Sequence, residues 1–552
     1  MKAVVIGGVA GGASAAARLR RLSEETEIII FERGDYISYA NCGLPYHVGG
    51  VIEDRDELLL MTPELMKDRF NIDVRVQSEV IAINRAEKTV TVRQRDGRQY
   101  SESYDKLLIA TGSSPLRPLI PGIDSKRVMS LWTVNDTDKI KAAVKAGGVR
   151  RAAVIGGGFI GLEMAENLRH LGLEVSIIEA QNQVMAPLDY EMALPVHAAL
   201  REAGIRLYLG DAVDSFQEEQ DGLTVRLRSG AEVRSELVIL SIGVRPNGEL
   251  ARDAGLAVNK RGGIIVNQEM RTDDPDIYAV GDAVEVKDLV SGAQTMIPLA
   301  GPANKQGRLV AANLLGGHET YKGSLGTAVV KLFDTTVAAT GANEKQLTAR
   351  GLVEGRDYLR LLIRQNSHAG YYPGAEGMYL KLLFAQDGSR ILGAQIVGQS
   401  GVDKRIDTIA TAMRLGASPR DLMELELAYA PPYSSAKDPV NMAGFVADNM
   451  LAGRTRFAAW DALDAQSDAL VLDIREHYEV DEYAVPGAVQ IPFGELRGRL
   501  NELDKGREII VFCAAGVRAH TAAQMLRHHG FENVKVYPGG AWFYEVTHRK
   551  AD

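Results

Sequence analysis

Two cysteines, Cys42 and Cys513, stand in a chain of 552 residues. Each is flanked by residue types that suit a reactive sulfur better than a packed one. Cys42 lies in Ser38-Tyr39-Ala40-Asn41-Cys42-Gly43-Leu44-Pro45-Tyr46, shortly after a Gly-rich turn, a helix and an acid-ended strand. A thiolate at that point of a nucleotide-binding unit would face the reactive ring of the bound group, accept an electron pair and break a sulfur–sulfur bond. The thiolate, not the thiol, is the nucleophile, so its surroundings have to activate it. Cys513 follows the apolar run Ile509-Ile510-Val511-Phe512 and opens Cys513-Ala514-Ala515-Gly516-Val517-Arg518, after which a helix is expected to about Leu526. A strand that curls through such a loop into a helix aims successive N–H groups at the sulfur, and Arg518 adds positive charge.

The elements that must position Cys42 begin with Val4-Val5-Ile6-Gly7-Gly8-Val9-Ala10-Gly11-Gly12: strand, tight turn and helix start, the helix running from Ala13 to about Leu22. The strand Ile28-Ile29-Ile30-Phe31 ends in Glu32, twenty residues after Gly12. This is the βαβ dinucleotide fingerprint, with glycines for close approach to a pyrophosphate and an acid for a ribose hydroxyl. One position departs, Val9 standing where the middle glycine belongs. Arg18, Arg20 and Arg21 close the helix. Arg18 and Arg21 share a face, and are read either as cations at a helix C-terminus or as contacts for a phosphate-rich substrate.

A second fingerprint, Gly156, Gly158 and Gly161 in Ala153-Val154-Ile155-Gly156-Gly157-Gly158-Phe159-Ile160-Gly161, departs nowhere. Its helix is expected over 162–171, and its strand Val175–Ile178 leads to Glu179. The chain thus carries an internal duplication. Glu179 would repel a 2′-phosphate, and Ala180-Gln181 offer no arginine to hold one, so this site should prefer NADH to NADPH. Three buried strands ending in turns complete the pattern: Lys106–Ala110 into Thr111-Gly112, Leu237–Ile242 into Gly243, and Ile277–Val280 into Gly281-Asp282-Ala283. Asp282 is read as an acceptor for ribityl hydroxyls, as an N-cap, or both.

Two fingerprints, Ala110-Thr111-Gly112 and Gly281-Asp282-Ala283, in this order, resemble the FAD-dependent pyridine nucleotide–disulfide oxidoreductases over about residues 1–445. Most members use a C-x-x-x-x-C pair, which this chain lacks. Ser38-Tyr39-Ala40-Asn41-Cys42 is similar instead to the single-cysteine branch of CoA-disulfide and CoA-persulfide reductases. The resemblance implies FAD on Gly7, Gly8, Ala10, Gly11, Gly12, Glu32, Arg33, Ala110, Thr111, Gly112 and Asp282. It implies NADH on Gly156, Gly158, Phe159, Ile160, Gly161, Glu163, Glu179 and Gly243, with Glu163 near the nicotinamide. Ser14, Arg18, Arg21, Ser38, Asn41 and Lys437 would contact substrate. Coenzyme A would rest on Cys42 as a mixed disulfide in place of the missing cysteine. NADH peroxidases and oxidases carry a His in the first Gly-rich turn; Ala10 stands there, which argues against peroxide.

Residues 323–445 resemble the family's dimerisation domain. By resemblance, Tyr371 and Tyr429 would reach the partner subunit's cysteine; Tyr372 and Tyr433 are the alternative matches. Residues 457–552 resemble a rhodanese domain, with Cys513 and Arg518 in its sulfur loop and Val485 where a His is common.

The expected fold is α/β, with two Rossmann-like FAD/NAD(P)-binding domains, an α+β dimerisation domain and a C-terminal α/β rhodanese domain. The boundaries are 1–148 with 245–322 for FAD, 149–244 for NADH, 323–452 for dimerisation and 457–552 for rhodanese. Composition agrees with a globular protein: 46% hydrophobic, 24% charged, and 56 glycines against 19 prolines. A net charge of −9 speaks against a nucleic-acid partner. Lys2–Ile6 reads as a strand rather than a signal peptide, no apolar run is long enough to span a membrane, and scarce cysteine suits the reducing cytoplasm. No metal ligand set is apparent. The activity expected is NADH-driven reduction of CoA disulfide, CoA persulfide or polysulfide by a homodimer, with sulfur transfer at Cys513. The alternatives are a peroxidase or oxidase cycling Cys42 through sulfenic acid, a sulfurtransferase regenerated by the reductase half, and a redox sensor.

Overall fold

The computed structural model describes residues 1–464 and 468–548. They form two compact units, Met1–Asn182 with Ile205–Gly326, and Gln183–Gly204 with the chain from Thr327 onward.

The first unit contains the duplication. One five-stranded sheet runs in the order Ile277–Ala279, Lys106–Ile109, Lys2–Ile6, Glu27–Phe31 and Asp73–Arg75, every neighbouring pair parallel. Its three inner strands are mostly Val, Ile and Leu, as a sheet covered on both faces requires, and Val4, Val5, Ile30 and Leu107 are fully buried. The second parallel sheet orders Arg206–Leu209, Glu174–Glu179, Arg151–Ile155, Leu237–Leu240 and Val128–Met129. The repeat extends further than the glycines indicated. Each sheet is accompanied by a three-stranded antiparallel sheet, Ser78–Asn84 to Gln99–Ser103 in one half and Val213–Glu219 to Glu232–Ser235 in the other.

The turns explain both the glycines and the exception. A Cβ on Gly12 would fall 1.9 Å from the Gly7 carbonyl oxygen, and one on Gly161 would fall 2.1 Å from that of Gly156. Gly7 and Gly156 themselves take φ of 102° and 106°. At the middle position, by contrast, Gly158 has φ −83° with nothing near a notional Cβ, so Val9, at φ −101°, costs nothing. The helices start earlier than the spacing indicated, at Ala10 and Phe159, and end at Leu22 and His170.

The second unit holds a five-stranded antiparallel sheet in the order Ala328–Leu332, Thr335–Gly341, Ile391–Gly398, Gly377–Ala385 and Tyr358–Asn366. The helices Val402–Arg414 and Pro439–Leu451 share its core. A four-stranded parallel sheet follows, ordered Val489–Gln490, Leu470–Asp473, Ile509–Phe512 and Val534–Val536. The residues between the expected dimerisation and rhodanese domains, 453–456, are tied down at their end: Val536 N–H donates to the Arg456 carbonyl, and Thr455 Oγ1 bonds His520 Nδ1 at 2.8 Å. One segment departs from the expected boundaries. Gln183–Gly204, inside the span read as NADH-binding, groups with the second unit.

Candidate active site

Cys42 sits in a short 3-10 turn, Asn41–Gly43, that leads into the helix Leu44–Gly49. The approach is constrained. Ser38, a non-glycine residue at φ 45°, donates its N–H to the Gly8 carbonyl at 2.8 Å, and Ala40 N–H donates to the Leu58 carbonyl at 2.8 Å. Left-handed backbone at a serine is a strain that surrounding structure has to hold, and such positions cluster at functional sites. The sulfur is exposed and reaches Asn41 Oδ1 at 3.8 Å. Its thiol is nonetheless pushed up, first by desolvation from the protein around it, then by the carboxylates of Glu163 and Asp282.

Those two acids arrive from different elements. Glu163 is on the helix of the second fingerprint, and burial raises its carboxyl to about 7 against a hydrogen bond from Tyr46 Oη at 3.3 Å. Tyr46, four residues after Cys42, is a member of the site that sequence reading quoted but gave no role. Asp282 accepts from Ser113 Oγ at 3.0 Å, and burial pushes its carboxyl up as well. Cys42, Glu163 and Asp282 thus bring the first fingerprint, the second fingerprint and the Gly281–Ala283 turn to one place.

The nucleotide turns have the shape of cradles, and the residues fit the two dinucleotides. Glu32 accepts from Gly8 N–H at 3.0 Å and Gly34 N–H at 2.8 Å; Glu179 accepts from Gly157 N–H at 2.8 Å and Gln181 N–H at 2.8 Å. In both halves the backbone fixes the carboxylate at the strand end, where a ribose hydroxyl would donate to it. A Cβ on Gly7 would lie 2.2 Å from the Ala110 carbonyl oxygen, so turn and strand end touch. The Thr111-Gly112 turn is pinned by Asn247, whose Nδ2 donates to the Thr111 carbonyl at 2.8 Å and whose own carbonyl accepts from Thr111 Oγ1 at 2.7 Å. Asn247 was missed as a site residue; its role depends on contacts across 136 positions, which spacing does not encode. Of the arginines, Arg20 is structural, buried and donating to four backbone carbonyls. Arg21 lies over the Phe70 ring at 5.3 Å and Arg18 is half-buried. Ser14 Oγ bonds Asn304 Oδ1.

In the second unit, Tyr371 and Tyr429 meet, hydroxyl to hydroxyl at 2.8 Å, and both are exposed. Tyr429 is raised chiefly by that bond. Tyr372 instead stands edge-on to His368 at 5.6 Å, and Lys404 Nζ donates to the backbone carbonyl of Tyr433 at 2.9 Å. The two loops are fixed by the buried pair of Arg405 with Asp438 at 2.9 Å, Arg405 also donating to the Ser367 carbonyl at 2.8 Å. Lys437 is exposed beside it.

Cys513 is 2% exposed at the end of its strand and accepts from Gly516 N–H at 3.1 Å. Arg518 is held by two hydrogen bonds to Glu479, at 2.6 and 2.7 Å, which together with the nearby sulfur keep its guanidinium charged. Glu479 was not singled out from sequence; it lies on the short helix His477–Glu482 among polar residues that carry no local mark. Val485 packs with Phe512 and Tyr537 in the core, so the missing His is a packing difference at that position.

A chain with two duplicated nucleotide turns converging on one cysteine, and a second cysteine that accepts a backbone amide of its own loop beside a held arginine, has the build of a two-nucleotide sulfur oxidoreductase joined to a sulfur-handling domain. It belongs to the pyridine nucleotide-disulphide oxidoreductases: that family's description matches residues 1–307, its dimerisation domain matches 327–439, and a rhodanese-like domain matches 458–542. A Staphylococcus aureus protein named coenzyme A disulfide reductase is 37% identical over 448 residues, 81% of this chain and 99% of that one. The crystal structure of reduced Bacillus anthracis CoADR-RHD is 49% identical with a TM-score of 0.95, covering 99% of this chain and 98% of that chain. The structure of an NAD-dependent persulfide reductase from A. fulgidus is 38% identical with a TM-score of 0.94, covering 99% of this chain and all of the other. No helix among the described residues is long and apolar enough to cross a membrane.

Proposed function

We propose that the protein uses NADH to reduce CoA-linked disulfides and persulfides at Cys42, and handles sulfur at Cys513. The carrying observation is the convergence of Cys42, Glu163 and Asp282 from three elements of the duplicated unit. Bound FAD supplies the two-electron relay between NADH and sulfur. The chain's own part is to hold the nucleotides by Glu32 and Glu179, to present Cys42 on a braced turn, and to govern its ionisation. The Cys42 thiolate attacks the CoA-bearing sulfur of the substrate, breaking its sulfur–sulfur bond, forming Cys42–S–S–CoA and releasing CoA thiolate from the disulfide or hydrosulfide from the persulfide. Two electrons and a proton then return Cys42 thiolate and free CoA thiol. Neutral Glu163, hydrogen-bonded to Tyr46, lowers the electrostatic opposition to that thiolate.

Tyr371 and Tyr429, which the geometry pairs in preference to Tyr372 and Tyr433, supply hydroxyls for the departing thiolate, in a homodimer with one pair serving the other protomer's Cys42. Ser14, Arg18, Arg21, Ser38, Asn41 and Lys437 are proposed for CoA, and Glu179 favours NADH over NADPH.

The test is steady-state NADH oxidation with CoA disulfide and CoA persulfide by Cys42→Ser and Cys513→Ser, together with mass spectrometry of ligand released by reductant. Cys42→Ser should lose at least about a thousandfold in kcat, as removal of a covalent nucleophile does, and CoA should leave wild type only on reduction. Full NADH-driven cleavage by Cys42→Ser would rule out the reading. Turnover faster with peroxide or oxygen than with either sulfur substrate would favour the oxidase alternative.

A further inference from the structure

The Cys513 loop does not hold itself open. Its first two carbonyls are bonded by the segment after Pro538: Ala541 N–H donates to the Cys513 carbonyl at 2.8 Å, and Trp542 N–H to the Ala514 carbonyl at 3.3 Å. In the same loop the Gly516 amide donates to the sulfur at 3.1 Å. The approach is close enough to require glycine. Gly540 has φ 71°, and a Cβ there would lie 2.5 Å from the Cys513 oxygen and 2.4 Å from that of Ala514. The two chain segments are fitted backbone to backbone.

The segment is fixed in turn by the antiparallel sheet of the same unit. Arg364 on the strand Tyr358–Asn366 stacks its guanidinium 3.8 Å from the centre of the Trp542 ring. Tyr379, directly across from Arg364 on the neighbouring strand, donates its hydroxyl to the Trp542 carbonyl at 3.1 Å, and its ring meets Phe543 at 5.1 Å. Gly539, at φ 69°, leaves room for Phe543 and Leu362; a Cβ would sit 2.6 Å from the first side chain and 3.0 Å from the second. Arg364 is half-buried and desolvation pushes its guanidinium down. A cation that has lost water stacks on an indole more strongly than an exposed one. Apolar side chains alone would serve to dock a domain. Here a partly desolvated cation is stacked on a residue whose backbone N–H, with that of Ala541, is bonded to the sulfur loop.

We propose that Trp542 is a positioning residue for the Cys513 loop, held by Arg364 and Tyr379, so that sulfur transfer at Cys513 depends on the sheet of the dimerisation domain. This rests on the reading of Cys513 as a sulfur carrier. In that role the Cys513 thiolate takes the outer sulfur of thiosulfate, releasing sulfite, and cyanide then removes that sulfur as thiocyanate, restoring the thiolate. The number of electrons and charges is conserved at both steps.

The experiment is thiosulfate-to-cyanide transfer by the full-length protein and its Arg364→Gln, Arg364→Lys, Trp542→Ala and Trp542→Phe variants, with melting temperature recorded for each. Arg364→Gln and Trp542→Ala should lose about tenfold in kcat, the scale of a displaced supporting contact, with KM for thiosulfate within about twofold. Arg364→Lys and Trp542→Phe, which keep a cation over a ring, should recover most of it. NADH-driven reduction of CoA disulfide by Arg364→Gln should match wild type. A kcat for Arg364→Gln equal to wild type overturns the positioning role, whatever the melting temperature does. No transfer by the wild-type protein overturns the sulfur-carrier reading itself, and the proposal falls with it.

Discussion

At Cys42 the protein works against its own nucleophile. Desolvation and the charges of Glu163 and Asp282 all favour the thiol. The sign of the Glu163 contribution depends on pH, because burial lifts that carboxyl to about 7. Below that value Glu163 is neutral and its opposition is gone; above it, its negative charge holds the Cys42 proton on. Glu163→Gln should therefore speed alkylation of reduced Cys42 by roughly three- to tenfold at pH 8, the effect of up to one pKa unit, with the difference shrinking toward pH 6. Iodoacetamide kinetics in a Cys513→Ser background measure it, and exposure of Cys42 means access does not change. Equal rates at pH 8 would remove Glu163 from the sulfur's environment. At this scale the sequence was legible where a residue type is itself the signal. Two cysteines, the first and last glycines of each turn and a strand-end acid each have a local steric or electrostatic cause. Tyr46 and Asn247 carried no such mark, since each acts through a partner more than a hundred positions away.

At the scale of elements, the segment Gln183–Gly204 shows what spacing leaves out. Read along the chain it continues the second nucleotide unit, yet its helix Tyr190–Glu202 groups with the antiparallel sheet. The reason is a buried charge cluster. Lys381, 1% exposed on the strand Gly377–Ala385, meets Asp189 at 2.8 Å, Glu344 at 2.8 Å and Glu191. Burial opposes its charge, and Glu191, Asp189 and Glu344 outweigh burial and raise it. These three carboxylates converge closely enough to hold a metal ion, but the ammonium already occupies their centre. Removing the cation leaves Asp189 without an ion-pair partner among the described residues, and Glu191 and Glu344 with only the more distant Arg360, at 3.8 and 3.4 Å; breaking a buried pair typically costs about 3–5 kcal/mol. Lys381→Met should therefore expose the backbone amides of Tyr190–Glu202 to hydrogen exchange by about two orders of magnitude or more, since each 1.4 kcal/mol is a factor of about ten. Adding Glu191→Gln should restore part of the protection. Unchanged protection in Lys381→Met would mean that apolar packing alone seats the helix. The duplicated βαβ units were readable because their periodicity repeats within some thirty residues. This attachment was not, because its partners lie about 190 positions apart and no local pattern distinguishes Lys381 from a surface lysine.

For the whole molecule, the exposed tyrosines set the sharpest test. Tyr371 and Tyr429 are bonded to each other and otherwise face outward, 77% and 47% exposed, an unusual position for two large rings. A match to the family's dimerisation domain covers both. If each pair completes the Cys42 site of the other protomer, activity is a property of the dimer, and two defective chains should repair one another. Cys42→Ser homodimers and Tyr371→Phe/Tyr429→Phe homodimers should each turn over CoA disulfide poorly. Mixed dimers, made by co-expression with two different tags and purified on both in turn, contain one site with an intact cysteine facing intact tyrosines. That site should restore about half the wild-type kcat per dimer, because one of two equivalent sites is whole. If the tyrosines served their own protomer, every site in the mixed dimer would lack one component, and its rate would fall at the mean of the two parents. The comparison needs no assumption about how far either substitution disturbs its own chain, since both parents are measured beside the hybrid.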